Sequence, residues 1–145
     1  MKSTITSVNC NGKIFSFKKE SKDEDYNEYD IDFTLLLDNE WVARSSVTKV
    51  NDIELCVLDE LGVNVNYQRQ MIGSCFLDEI KKECLSIKVN AEPRAFVFYE
   101  KNGFSPSFGR YDREYLNKIR ELSENEDFDK LSELWNEYGG IDMYY

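Results

Sequence analysis

Apolar and polar residues alternate through most of the first 65 positions, and then the period changes. "STITSVNC" and "KIFSFKK" flank Asn11-Gly12, a dipeptide suited to a two-residue hairpin because both central positions need positive φ. "IDFTLLL" and "WVARSSV" meet around Asp38-Asn39-Glu40, and the longer run "DIELCVLDELGVNV" follows, so the pattern predicts five strands before residue 66. Beyond residue 71 the apolar spacing becomes fourfold. Ile72, Phe76, Ile80 and Cys84 share one face, while Asp78, Glu79, Lys81, Lys82 and Glu83 occupy the others, predicting an amphipathic helix with an Asp78–Lys82 i,i+4 pair. "LSIKVN" reads as a short strand. A second helix follows, with Pro93 in its first turn and Gly103 just past its end, and with Ala95, Phe98 and Tyr99 on one face. From Arg110 on, Tyr111, Tyr115, Ile119 and Leu122 form one stripe and Phe128, Leu131, Trp135 and Tyr138 another, which predicts an αα-hairpin with both stripes in the core. "GGIDMYY" suits a final strand.

Composition limits what such a chain does. At 145 residues it reads as a single domain, 1–145. A net charge of −10, from 28 acidic and 18 basic residues, disfavours nucleic acid and favours a cationic partner. No run approaches the ~20 apolar residues of a membrane span, and "MKSTITSVNCNGK" lacks the apolar core of a signal peptide, so a cytoplasmic setting away from membranes is expected. Cys10, Cys56, Cys75 and Cys84 show no C-x-x-C spacing and fall in apolar or alternating segments, which predicts reduced, buried thiols. The chain has no histidine. That removes histidine-dependent nucleophiles, histidine acid–base work and His-based zinc sites. The acidic stretch "SKDEDYNEYD" has calcium-like alternation at Asp23, Asp25 and Asn27. However, Glu28 stands where an EF-hand loop needs glycine and Thr34 where it needs glutamate, so no metal is expected.

Two places hold candidate chemistry. A long strand, a turn, a helix, a short strand and a capped helix make a β-α-β-α unit whose first turn, "QRQMIGS", spans residues 68–74. Its backbone N–H groups lie at the positive end of a helix dipole, with Gly73 permitting close approach and Arg69 adding a charge. Gln68, Gln70, Met71, Ile72 and Ser74 complete it. From these residues alone it is either an anion cradle or an ordinary helix start. On the strand before it, Ile53, Leu55, Val57, Leu61, Val63 and Val65 share one parity, and Asp59 is the charged member of that face. Such a carboxylate is either a base with a raised pKa or a strand-edge group facing solvent. Glu54 and Glu60 have the opposite parity and reach the same side only through a bulge.

Read together, "LGVNVNYQRQMIGSCFLDEI" and "PRAFVFYEKNGF" resemble the acetyl-CoA-binding segment of the GNAT-type N-acetyltransferases, over residues 57–104. Gln68 matches the first position of that family's Gln/Arg-x-x-Gly-x-Gly/Ala loop and Gly73 its last, while Met71 replaces the inner glycine. The resemblance implies an α+β fold: a GNAT-like mixed, mostly antiparallel sheet flanked by helices, here with a hairpin-rich N-terminal half and a C-terminal αα-hairpin. It further implies acetyl-CoA as co-substrate, held by the 68–74 loop and by the backbone of Leu61 and Val63. Tyr99 would be the acid that protonates the departing thiolate, and Asp59 matches a place that often carries the base or orients its water. The reaction implied is direct attack by a primary amine in a ternary complex, with a protein lysine, an N-terminus or a polyamine-like molecule as acceptor. Glu92 stands where the family often has asparagine, and the helical pair usual between its first two strands has no counterpart here. These departures support the alternative of a catalytically inactive GNAT-like protein that docks a partner through its acidic surface or helical tail. The aromatic tail also suits a homodimer.

Overall fold

In a computed structural model that describes residues 1–68 and 70–145, the chain divides into two compact units, Met1–Ile87 and Lys88–Tyr145. The first contains the five expected strands: β1 (Lys2–Cys10), β2 (Lys13–Ser21), β3 (Glu28–Leu37), β4 (Glu40–Val50) and β5 (Leu55–Val63). They run as an antiparallel meander in sequence order. Asn11 (φ 53°) and Gly12 (φ 84°) make the first hairpin turn, and Asp38 (φ 50°) with Asn39 (φ 65°) makes a second of the same kind, because paired positive φ values match the twist of the flanking strands.

One face of this sheet is packed and the other is polar, as the alternation requires. Phe15, Phe17, Ile31, Phe33, Val47 and Leu58 are buried with Ile72, Phe76, Leu77 and Ile80 of α1 (Ile72–Glu83), which contacts β4 and β5. Phe17 stacks on Phe33 at 5.5 Å and meets the edge of Phe76 at 6.0 Å. On the polar face the Ser46 hydroxyl donates to Asp32 at 3.0 Å. The exposed side of α1 departs from the expected Asp78–Lys82 pair. Lys82 binds Glu79 at 2.8 Å and Lys81 lies 3.7 Å from Asp78, because residues three apart are also neighbours on a helix.

The cysteines overturn the expectation of reduced thiols. Cys10 bonds Cys75 and Cys56 bonds Cys84, with Cα atoms 5.9 and 6.0 Å apart, and none is free among the described residues. Both bonds lie in the first unit and join α1 to the sheet, one in its first turn and one at its C-cap. Sequence spacing gave no sign of this, since the partners are 65 and 28 residues apart and meet only when α1 docks.

In the second unit, Lys88–Ala91 of β6 (Ser86–Ala91) pairs antiparallel with β8 (Ile141–Tyr144), and β8 pairs antiparallel with β7 (Ser105–Pro106). A 3-10 turn at Pro93–Ala95 leads into α2 (Phe96–Lys101), and Gly103 follows at φ 91°. The predicted αα-hairpin is α3 (Arg113–Glu124) and α4 (Phe128–Tyr138). It is capped by Asp112, which accepts from the Glu114 N–H, and by Asp127, which accepts from that of Lys130. Arg120 of α3 grips Glu100 of α2 with Nε at 2.9 Å and Nη2 at 2.6 Å.

The apolar stripes differ from expectation. Phe96 and Tyr99 are the buried residues of α2, while Phe98 is only half-buried. The helical seam is built from Leu116, Ile119, Leu122, Leu131 and Leu134. Phe128, Trp135 and Tyr138 are 49%, 38% and 62% exposed, because centring α4 on Leu131 and Leu134 turns its aromatics to the margin. Among the described residues no helix is long and apolar enough to cross a membrane.

Phe76 is fully buried between helix and sheet. Phe76→Ala should destabilise the first unit by about 3–5 kcal/mol through lost burial and the cavity left behind, read as a lower urea midpoint with the disulfides intact.

Candidate functional site

The turn before α1 is shaped by local conflicts. A 3-10 turn over Val65–Tyr67 follows Asn64, whose side chain caps it by accepting from the Asn66 N–H at 3.1 Å. Gln68 Nε2 then donates back to the carbonyl of Val63 at 3.2 Å, tying the turn to the end of β5. The carbonyl of Gln70 accepts from Asn11 Nδ2 at 2.6 Å, so the tip of the β1–β2 hairpin braces the turn from another side. Arg69 lies outside the described residues.

Met71 is the N-cap of α1 and adopts φ 59°, ψ 17°, the left-handed region in which a Cβ costs energy and glycine does not. Its side chain is 70% exposed and leaves the turn uncovered. The Cys75 N–H donates to the Met71 carbonyl at 3.2 Å, closing the first turn of α1. Met71 makes no side-chain cap, and no acidic residue stands in that first turn. Ile72 is buried and anchors the helix start, while Gly73 and Ser74 are half-buried. The helix start therefore has neither a cap from the Met71 side chain nor an acidic residue of its own first turn to offset the positive end of the dipole. Leu61 and Val63 are half-buried and pair with Ser45 and Ala43 of β4.

Asp59 does not lie on a buried apolar face. The buried side of β5 carries Cys56 and Leu58, the opposite parity from the one expected. The pairing with β4 steps from Val47↔Leu58 to Ser46↔Glu60, so Asp59 is the extra residue of a bulge and is exposed. The single proton of the Thr48 hydroxyl is offered to Asp59 Oδ2 at 2.8 Å or to Asp30 Oδ1 at 3.0 Å. Half-burial of the odd residues on both sides of the bulge is why parity misled.

Tyr99 belongs to the second unit, at 6% exposure. Its ring meets Phe98 at 5.2 Å and Phe104 at 5.3 Å, both edge-on. Burial first, and the charge of Glu92 second, push its phenol up to about 12. Both oppose forming a phenolate, so the hydroxyl keeps its proton throughout the neutral range. No group of three or more Cys, Asp or Glu side chains is arranged to hold a metal among the described residues.

No protein-family model matches this chain, and neither does any curated protein sequence. Solved structures do. Tetrahymena GCN5 aligns with a TM-score of 0.56 at 15% identity over 79% of this chain and 66% of its own. An aminoglycoside 6'-N-acetyltransferase complexed with coenzyme A aligns with a TM-score of 0.52 at 13% identity, over 79% and 70%. The chain has the GNAT fold. It spans only 53% of the length of the Escherichia coli ribosomal-protein-S18-alanine N-acetyltransferase, to which it is 21% identical with a TM-score of 0.47. Within the GNAT fold seen here, β1 and β2 are joined by the two-residue turn at Asn11–Gly12, so no helical pair lies between them.

Sequence reasoning missed Asn11 as a support of the turn. It sits 59 residues from Gln70, and its identity was already explained by the hairpin it forms.

Met71→Gly should stabilise the protein by about 1 kcal/mol by removing the left-handed Cβ, measured as a higher urea midpoint. Tyr99 binds its proton more tightly in the folded state, so its contribution is complete below pH 10 and is lost as pH rises from about 10 to about 12. That loss is on the order of 2–3 kcal/mol, and Tyr99→Phe should flatten this part of the stability–pH curve.

Proposed function

We propose that this protein is an acyl-CoA-dependent N-acyltransferase that moves an acetyl group to a primary amine. The reading is carried by the uncapped amino end of α1, where Met71 in the left-handed region and an acid-free first turn leave backbone donors for a diphosphate. The GNAT fold and the coenzyme A held by one structure of that fold support acetyl-CoA as the co-substrate.

The chemistry sets three demands. An amine of pKa near 10.4 is neutral in only about one molecule in two thousand at pH 7, so the acceptor must lose a proton before it attacks the thioester carbonyl. The tetrahedral oxyanion needs donors, which main-chain N–H groups supply in a water-poor cleft. As the C–S bond breaks, the thiolate takes a proton, and Tyr99 is assigned that step because its phenol stays protonated. Collapse of the intermediate then gives the amide and free coenzyme A. Asp59 acts as base through water in this scheme, since it is exposed rather than buried. A net charge of −10 concentrates cations near the surface and supports a protonated amine, small or on a protein, as acceptor.

A second reading, a GNAT-shaped binding protein without catalysis, is favoured by the exposure of Asp59, which leaves the proposed base open to bulk water rather than set in a closed pocket. Acetyl-CoA at about a hundred times its Kd should raise Tm by about 9 °C. With spermidine or a lysine peptide as acceptor, Tyr99→Phe should lower kcat about a hundredfold or more with little change in the KM for acetyl-CoA. Binding without turnover against a panel of amines would select the second reading, and no binding at millimolar ligand would end both.

A further inference from the structure

The two disulfides hold the same helix but differ in access. Cys56 and Cys84 are 1% and 2% exposed, so that bond is sealed within the packing of α1 on the sheet. Cys10 is likewise buried at 3%, but its partner Cys75 is half-buried, on the side of α1 that begins at the turn. Thiol–disulfide exchange requires a thiolate to approach one sulfur along the S–S axis, so access decides which bond reacts and which sulfur is attacked.

The position of the accessible bond gives its reaction a consequence. Cys75 closes the first turn of α1 through its N–H to the Met71 carbonyl. Cys10 ends β1 one residue before Asn11, whose side chain braces the Gln70 carbonyl at 2.6 Å. One covalent bond and one hydrogen bond thus tie the hairpin tip to both sides of Met71, a residue that holds an unfavourable backbone region and has no side-chain cap of its own. Without the bond, the hairpin tip holds the turn through the exposed Asn11–Gln70 hydrogen bond, a weaker and more readily exchanged tie than a covalent one.

We propose that Cys10–Cys75 is a thiol-exchange site whose reduction by a dithiol loosens the 70–75 turn and weakens acyl-CoA binding. The inference rests on the turn being the acyl-CoA site. A thiolate of the reductant attacks Cys75 Sγ, forming a mixed disulfide and releasing Cys10 as thiolate. The second thiol of the reductant then closes on the mixed disulfide and releases Cys75. The dithiol is oxidised to its cyclic or intramolecular disulfide, and two protein thiols are formed. The oxidised protein is the binding form, because its turn is ordered before ligand arrives and binding energy is not spent on ordering it.

The test treats the intact protein with graded dithiothreitol, blocks free thiols with iodoacetamide and maps them by peptide mass spectrometry. Cys10 and Cys75 should be alkylated before Cys56 and Cys84. At the dose that opens only the first pair, hydrogen exchange of the amides at 72–75 should accelerate. Affinity for desulfo-coenzyme A, which cannot itself exchange with disulfides, should fall about tenfold as the ordering cost returns to the binding step. A Cys10→Ala/Cys75→Ala variant should bind as weakly without reductant. If that variant does not fold, the reduced wild-type protein gives the same comparison. Opening of Cys56–Cys84 first, or an open Cys10–Cys75 pair with exchange and affinity unchanged, overturns the proposal while leaving acyl-CoA binding intact. Faster exchange in a protein that binds no desulfo-coenzyme A even when oxidised instead removes the acyl-CoA reading, and the regulation with it.

Discussion

The first unit depends on the docking of α1 against the packed face of the five-stranded meander. Phe76 fits against Phe17, with Leu77 and Ile80 completing the seam, and this contact fixes where the amino end of the helix lies. Everything assigned to the turn follows from that placement. A helix free to slide by one residue would carry its first-turn amides ~1.5 Å along its axis, enough to spoil hydrogen bonds to a phosphate. Two covalent bonds and the brace from Asn11 oppose such sliding, so the geometry of the turn is held by the sheet rather than by its own sequence.

That explains how a methionine survives where a glycine would be easier. The left-handed backbone at Met71 is imposed from outside, by the docked helix on one side and the pinned Gln70 on the other. The side chain pays in conformational energy but does not obstruct, since it points into solvent. In the second unit the buried Tyr99 shows the converse arrangement, in which packing against Phe98 and Phe104 serves to keep a phenol protonated. The turn is shaped by strain held in place, the phenol by desolvation.

Most of the architecture was legible because it is written in short-range patterns. Asn11-Gly12, the fourfold stripe from Ile72 to Cys84 and the Pro93/Gly103 pair each act within a few residues and each appears where expected. The 68–74 turn was legible as a place but not as a conformation, because methionine carries no preference for positive φ. What failed depended on distant partners. Disulfides between residues 65 and 28 positions apart, the hydrogen bond from Asn11 to Gln70, and the solvent face of α4 are all decided by packing that no local period encodes. For Asp59 the sequence left a buried and a solvent-facing reading open, and the structure gives the exposed one, because the buried side of β5 is already set by Cys56 and Leu58 while the half-buried odd positions look equally apolar.

The first strand lies at the margin of the meander, where among the described residues it pairs with β2 alone, and Lys2 to Ser7 are all exposed. A nine-residue outer strand keeps a row of unsatisfied main-chain groups on its open side, and Ile5 stands 63% uncovered along it. Its threonines, with Ile5 and Val8, favour extended backbone, and Lys2 supplies its one charge against edge-to-edge contact. Concentrated solutions of this protein are therefore most vulnerable to association along β1, where another molecule's strand would find a ready template.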